Sequence, residues 1–168
     1  HYARGEASIA SGDFEQARME LSAIETLVNT ADFSDMIKGN VPALDILEIA
    51  VLSLKARLSQ ETGQINDAIE TWEKAATIQD RLVYTEPPYW YYPVRQSLGA
   101  AHLLNADPKA AIQAFQAALV DAPNNGWTLF GLAEAYERDG QREMADALRS
   151  HLVNSWAGDE ELLALERL

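Results

Sequence analysis

Apolar and small residues recur along this chain at a fixed spacing, which predicts a repeated helical unit. The segment LGAAHLLNADPKAAIQAFQAAL aligns with LAEAYERDGQREMADALRSHLV at a shift of 34 residues, so that Leu98 falls on Leu132 and Ala111 on Ala145. Small residues recur where two helices must approach closely, and large ones recur where a gap in the core must be filled. The spacing therefore predicts pairs of helices that repeat every 34 residues.

Two further copies of the pattern lie upstream once insertions are allowed. Gly63 maps onto Ala106 at a constant shift of 43 residues, and Gly12 maps onto Gly63 at a shift of 51. The additional residues fall between repeats, where an array of stacked units tolerates them best. Gly12, Gly63 and Gly140 occupy the turn between the two helices of a repeat, where we expect the backbone to need a permissive residue.

The pattern predicts a single helical-repeat domain over residues 1–168, made of four repeats and a closing helix. The helices are expected near 1–11, 13–29, 43–61, 65–81, 89–105, 108–121, 126–138 and 141–155. The repeats cover 1–30, 47–81, 92–125 and 126–157, with insertions at 30–46 and 82–91. A capping helix near 159–167, within 158–168, has an acidic first turn, which suits a helix N-terminus. We expect its leucines to cover the exposed core of the fourth repeat: Leu162, Leu163 and Leu165.

The two insertions differ in character. The longer one, near residues 30–46, is favoured as a structural loop over a binding loop, and we expect Phe33, Met36 and Ile37 to pack against neighbouring helices. The shorter one lies in the stretch from Tyr84 to Arg95, where five aromatic residues and three prolines fall among twelve residues. It is either a staple that fills the gap between the second and third repeats or a ligand-contacting site, since aromatic side chains concentrate at recognition surfaces. Its candidate contact residues are Glu86, Tyr89, Trp90, Tyr91 and Arg95.

The repeat resembles the tetratricopeptide repeat in both period and residue type. The matching positions are Leu98, Gly99, Ala111, Phe115, Ala118 and Pro123. This resemblance implies an all-α fold, in which helix–turn–helix repeats stack into a right-handed superhelix with a C-terminal capping helix. The segments HYARG, EPPYWYYPVRQSLGAA and PNNGWTLFGLAEA are more narrowly similar to the C-terminal part of long bacterial tetratricopeptide proteins. No activity transfers with that similarity.

The resemblance also implies where a partner would bind. In tetratricopeptide arrays the first helix of each repeat lines a concave groove. The corresponding residues here are Ser53, Arg57, Gln60 and Glu61 in the second repeat, Gln96, Ala100, Leu103 and Leu104 in the third, and Trp127, Phe130, Glu134 and Arg138 in the fourth. The set lacks the basic clamp with which some family members hold acidic tails of heat-shock proteins. Trp127 and Phe130 could alternatively pack on the aromatic insertion.

Composition narrows the range of partners. Thirteen basic residues against twenty-six acidic ones give a formal net charge of −13, which makes nucleic acid or an anionic membrane a poor partner. The acidic helix faces either keep the protein soluble or attract a basic partner. No apolar run approaches the length of a membrane span, so we expect a soluble protein of the cytoplasm or periplasm. Because the sequence begins as if within a helix, we expect it to be a piece of a longer protein.

No pattern of catalytic residues is visible. The chain has no cysteine, and its histidines His1, His102 and His151 lack the spacing of a two-histidine metal motif. We therefore expect no enzymatic activity, no cofactor and no metal. The sequence favours a protein- or peptide-binding scaffold. The alternatives are a non-catalytic small-ligand or sensor domain that uses residues 84–95, and self-association through a truncated first repeat.

Overall fold

Nine α-helices and two short 3₁₀ turns make up the part of the chain that the structure describes. The structure is a computed structural model that describes residues 1–168 apart from the side chains of Ser155 and Glu160. The helices are α1 (Tyr2–Ala10), α2 (Phe14–Thr30), α3 (Ser34–Lys38), α4 (Ala43–Glu61), α5 (Ile65–Gln79), α6 (Val94–Leu104), α7 (Pro108–Asp121), α8 (Gly126–Arg138) and α9 (Arg142–Ser155). The 3₁₀ turns are Glu160–Leu162 and Leu165–Arg167, and these described residues include no strand. The predicted all-α class is confirmed.

The same turn joins the helices of four consecutive pairs, which are α1–α2, α4–α5, α6–α7 and α8–α9. Gly12, Gly63 and Gly140 adopt φ angles of 78°, 79° and 82°, and Ala106 adopts 56° at the equivalent position. The amide of each of these residues donates to a carbonyl three residues earlier, as Gly63 does to Gln60 at 3.1 Å. Such left-handed residues end a helix by bonding its last free carbonyls. The predicted turn glycines are therefore confirmed.

The turn at Ala106 provides a test of this repeat. A left-handed conformation costs a residue with a Cβ about 1–2 kcal/mol, and glycine loses about 0.5–1 kcal/mol through its freedom in the unfolded chain. Ala106→Gly is therefore expected to raise the free energy of unfolding by about 0.5–1 kcal/mol in urea denaturation. Gly63→Ala is the matched reverse change, because a Cβ there would meet no atom within 4 Å. Shifts of the same sign in both variants would contradict this account.

The chain divides into two compact units, His1–Tyr91 and Tyr92–Leu168. In the N-terminal unit, α4 packs on both helices of the preceding pair, α1 and α2. A core of apolar side chains joins the three helices, and Ile9, Ile24 and Leu54 are buried within it. A Cβ on Gly5 would lie 2.8 Å from Leu54 Cδ1, so the missing side chain lets α1 and α4 approach closely.

The C-terminal unit repeats this arrangement, with α8 packed on both α6 and α7. Phe115 of α7 is fully buried. A Cβ on Gly99 would lie 2.7 Å from its ring, and one on Gly131 would lie 2.4 Å from it. We call the first helix of each pair, α1, α4, α6 or α8, a first helix. Gly99 on α6 and Gly131 on α8 thus leave the space that the ring fills. The assignment of both units to one domain stays a prediction.

Three expectations about local structure were wrong. The closing segment is not a helix but two 3₁₀ turns, because Ala164 is extended and tertiary burial outweighs local helix propensity. The helix expected to begin at residue 89 begins at Val94, after Pro93, which has no amide hydrogen to donate. In the longer insertion, Met36 and Ile37 are exposed rather than packed, since the short helix α3 presents them to solvent.

Candidate functional site on the faces of the first helices

Arg57 lies at the centre of a polar cluster in the N-terminal unit. Its guanidinium carbon is 5.4 Å from the centre of the Trp72 ring, a distance at which a cation and an aromatic face attract each other. Its Nε atom is 3.7 Å from Oε2 of Glu6 on α1. The Arg57 side chain is only 14% exposed. This predicted contact residue therefore takes part in the packing of α1, α4 and α5.

Several buried polar atoms surround Arg57. The atoms Glu6 Oε1, Ser53 Oγ, Gln60 Oε1 and Trp72 Nε1 have no hydrogen-bond partner among the described residues. Ser53, Arg57 and Gln60 share one face of α4, since residues three and four apart are neighbours on a helix. A buried polar atom without a partner costs about 1–3 kcal/mol. We call the face of α4 formed by Ser53, Arg57 and Gln60 the polar face. Its Ser53 Oγ and Gln60 Oε1 atoms make no hydrogen bond to the described residues, at the place where the sequence predicted a groove.

The aromatic segment, residues 84–91, returns to the first helix of the N-terminal unit. Trp90 is 6% exposed and packs edge-on against Tyr2 of α1, with ring centres 5.2 Å apart. The Tyr91 hydroxyl is 3.2 Å from that of Tyr2, although the Tyr91 side chain is 70% exposed. Tyr89 donates a hydrogen bond to the carbonyl of Asn40 at 3.3 Å. Trp90 thus packs within the unit, while Tyr91 remains accessible.

Tyr84 and Glu86 form a hydrogen-bonded pair on the exposed part of this segment, with the phenol donating to Glu86 Oε1. The hydrogen bond that Tyr84 donates to Glu86, and then the negative charge of Glu86, raise the pKa of Tyr84 above its ordinary value. The neutral phenol is therefore favoured, and this effect is lost as the pH rises through the raised pKa.

Glu86→Gln is expected to shift one tyrosine titration to lower pH, measured by tyrosinate absorbance. Tyr84→Phe should remove that same titration, and an unchanged curve for Glu86→Gln would contradict the pairing.

In the C-terminal unit, Arg95 and Gln96 lie in the first turn of α6. Gln96 is buried, and its Oε1 accepts a hydrogen bond from Thr128 Oγ1 at 3.1 Å. This bond ties α6 to α8 in the interior, so Gln96 is not presented to a partner. Arg95 is half-buried.

The predicted aromatic and charged residues of α8 are also held by intramolecular contacts. Trp127 packs edge-on against Trp156 at 5.2 Å, and Phe130 packs on the core. Glu134 accepts from Arg149 Nη2 at 3.0 Å. Arg138 is exposed and donates to the carbonyl of Leu103 at 3.1 Å. Of these residues, Arg138 is the most open to a partner.

The closing segment, residues 159–168, supplies contacts that sequence reasoning missed. Leu168 is 0% exposed, and its carbonyl accepts a hydrogen bond from Ser97 Oγ of α6 at 3.1 Å. A Cβ on Gly131 of α8 would lie 3.0 Å from Leu168 Cδ1. Ser97 and Gly131 are equivalent at the shift of 34 residues. The three-residue spacing of Leu162, Leu165 and Leu168 was the available signal.

Each unit therefore ends in a non-helical stretch that returns to its own first helix. Tyr91 contacts Tyr2 of α1, and Leu168 contacts Ser97 of α6. The spacing from Gly63 to Tyr91 equals that from the equivalent Gly140 to Leu168. In the N-terminal unit the chain itself thus contacts α1, and in the C-terminal unit it contacts α6 and α8.

Other features of the described residues bear less on this site. A surface groove of about 620 Å³ lies between α4 and α5 and contains no predicted contact residue. Among the side chains that the structure describes, no group of three or more histidines, aspartates or glutamates is placed to hold a metal ion. No described helix is long and apolar enough to cross a membrane.

Comparison of the sequence with models of known protein families finds no match. Comparison with curated proteins finds no match either.

Proposed function

We propose that this chain is a non-catalytic scaffold that holds a protein or peptide on the faces of its first helices, as part of a tetratricopeptide-type superhelical array. The observation that carries the proposal is that these faces already hold a non-helical stretch of polypeptide in each unit, through Tyr2 and through Ser97. A surface that packs against such a stretch of its own chain has the shape and polarity to bind a similar stretch of another chain.

The chemistry of the polar face supports an extended peptide as the ligand. An extended chain presents unpaired N–H and C=O groups. The N–H groups suit Gln60 and the neighbouring Glu6 of α1, which are half-buried and carry oxygens that accept hydrogen bonds. The net charge of −13 favours a basic partner, since it raises the encounter rate with cations.

Photo-cross-linking tests the proposal. A benzophenone amino acid replaces Arg138, which is exposed on α8, the first helix of its pair. In a control variant it replaces Val120, which is 80% exposed on α7, the second helix of its pair. In a bacterial lysate, the variant at position 138 should capture a distinct polypeptide that the variant at position 120 does not. Equal capture by both, or none by either, would contradict the proposed binding face. A saturable change in tryptophan fluorescence with a small molecule would instead favour a sensor.

A further inference from the structure

The closing segment lies further back than a cap of the last helix pair requires. A segment that caps the pair α8–α9 needs to cover only those two helices. Leu168 instead reaches Ser97 on α6, the first helix of the preceding pair. It also approaches Gly131 on α8. The segment therefore lies across two successive first helices.

The surface that receives the segment has specific features. Gly131 has no side chain, so Leu168 and the Phe115 ring both approach its Cα, and a Cβ there would meet each of them. The Ser97 hydroxyl supplies a donor to a backbone carbonyl inside a buried environment. Leu165 and Leu168 both join the buried core cluster of the unit. Two leucines three residues apart and one backbone carbonyl are thus the features that this surface recognises.

The segment contributes little structure of its own. It consists of two three-residue 3₁₀ turns, and 3₁₀ turns are short and have poorer hydrogen-bond geometry than α-helices. The amide of Leu168 donates to the Leu165 carbonyl at 3.2 Å. Glu161, Glu166 and Arg167 are exposed. The segment is attached through Leu165, Leu168 and the bond from Ser97, and at its start through the bond from Trp156 Nε1 to the Asp159 carbonyl at 3.2 Å.

We propose that the α6–α8 surface is a docking site for a partner segment that forms a 3₁₀ turn and carries two leucines in the pattern Leu-x-x-Leu, since residues three apart share one face of such a turn. Residues 159–168 are its tethered occupant, and a partner segment of the same chemistry displaces them. Tethering gives an occupant an effective concentration on the order of millimolar, so a partner must compete with it. The proposal rests on the proposed function, because it names the partner chemistry and the regulation of the first-helix face.

The test uses the full chain and a fluorescent synthetic peptide with the sequence DEELLALERL of residues 159–168. In the variant Leu165→Asp/Leu168→Asp, the buried carboxylates should expel the tethered segment. Fluorescence anisotropy should then show peptide binding about tenfold tighter or more than to the unaltered chain. Leu162→Asp is the matched control, because Leu162 is 37% exposed in the same segment, and it should bind like the unaltered chain. A peptide with alanine in place of the leucines that correspond to Leu165 and Leu168 should not bind.

A folded double variant, judged by circular dichroism, that fails to bind the peptide would overturn the proposal, since the segment would then be only a structural cover. A second measurement applies if that variant does not fold. Hydrogen exchange at the amides of residues 162–168 of the unaltered chain should speed up when excess peptide is added. Unchanged exchange would overturn the proposal. So would a concentration-dependent dimer of the unaltered chain that Leu168→Asp abolishes, because a second copy would then be the occupant.

The two tests can fail separately. The peptide measurement needs no cellular partner, so it can succeed when cross-linking from position 138 captures nothing. Cross-linking from position 138 can succeed with a partner that lacks the two leucines, when the peptide does not bind α6 and α8.

Discussion

Replacement of Phe115 by alanine is expected to lower the free energy of unfolding by about 3–5 kcal/mol, the range observed when a buried phenylalanine is truncated. The ring is fully buried and lies between Gly99 and Gly131, which provide no side chains to fill the space that it would leave. The cavity would therefore persist, and the contacts of the ring with both first helices would be lost.

Denaturation in urea, followed by circular dichroism, measures this loss. Val120→Ala is the control on the same helix, because Val120 is exposed to solvent, and surface substitutions usually change stability by less than about 0.5 kcal/mol. An effect of Phe115→Ala no larger than that of Val120→Ala would show that the ring does not join α6 to α8.

Replacement of Gly131 by alanine is expected to destabilise the protein by about 1–3 kcal/mol, the usual cost of overpacking a core. This sign is informative because alanine is ordinarily favoured over glycine within a helix by about 1 kcal/mol. The new Cβ would lie 2.4 Å from Phe115 Cζ and 3.0 Å from Leu168 Cδ1. The ring cannot move away freely, since its Cε1 and Cζ atoms also lie close to Gly99.

A double-mutant cycle tests the cause of that loss. Phe115→Leu removes the ring from the position that the new Cβ needs. Gly131→Ala should therefore cost less in the Phe115→Leu background than in the unaltered chain, which gives a measurable coupling energy. Additive effects of the two changes would indicate that the alanine acts elsewhere. Increased stability of Gly131→Ala alone would contradict the packing described here.

The helix pairs could be predicted because their determinants are local. Gly12, Gly63 and Gly140 occur at turns that need a left-handed residue, and that need depends on neighbouring carbonyls only. Ala106 shows that the remaining contacts of a repeat can hold a less suitable residue in the same conformation.

The proposed binding face could be predicted only in part. The alignment placed Ser53, Arg57 and Gln60 on one face of α4, because helical spacing determines which residues are neighbours. It could not show that Gln96 would be buried on Thr128, since the burial of a position depends on the helix that packs over it.

By itself, the sequence determined the all-α class, the turn positions and the small residues at close helix contacts, because each follows from spacing along the chain. Only the tertiary structure decided where the non-helical stretches lie. Trp90 on Tyr2 and Leu168 on Ser97 join residues far apart in sequence, and a local pattern of apolar residues does not specify which helix receives them. Their positions follow from which apolar surfaces the packed helices leave uncovered, and those surfaces exist only after the pairs have assembled.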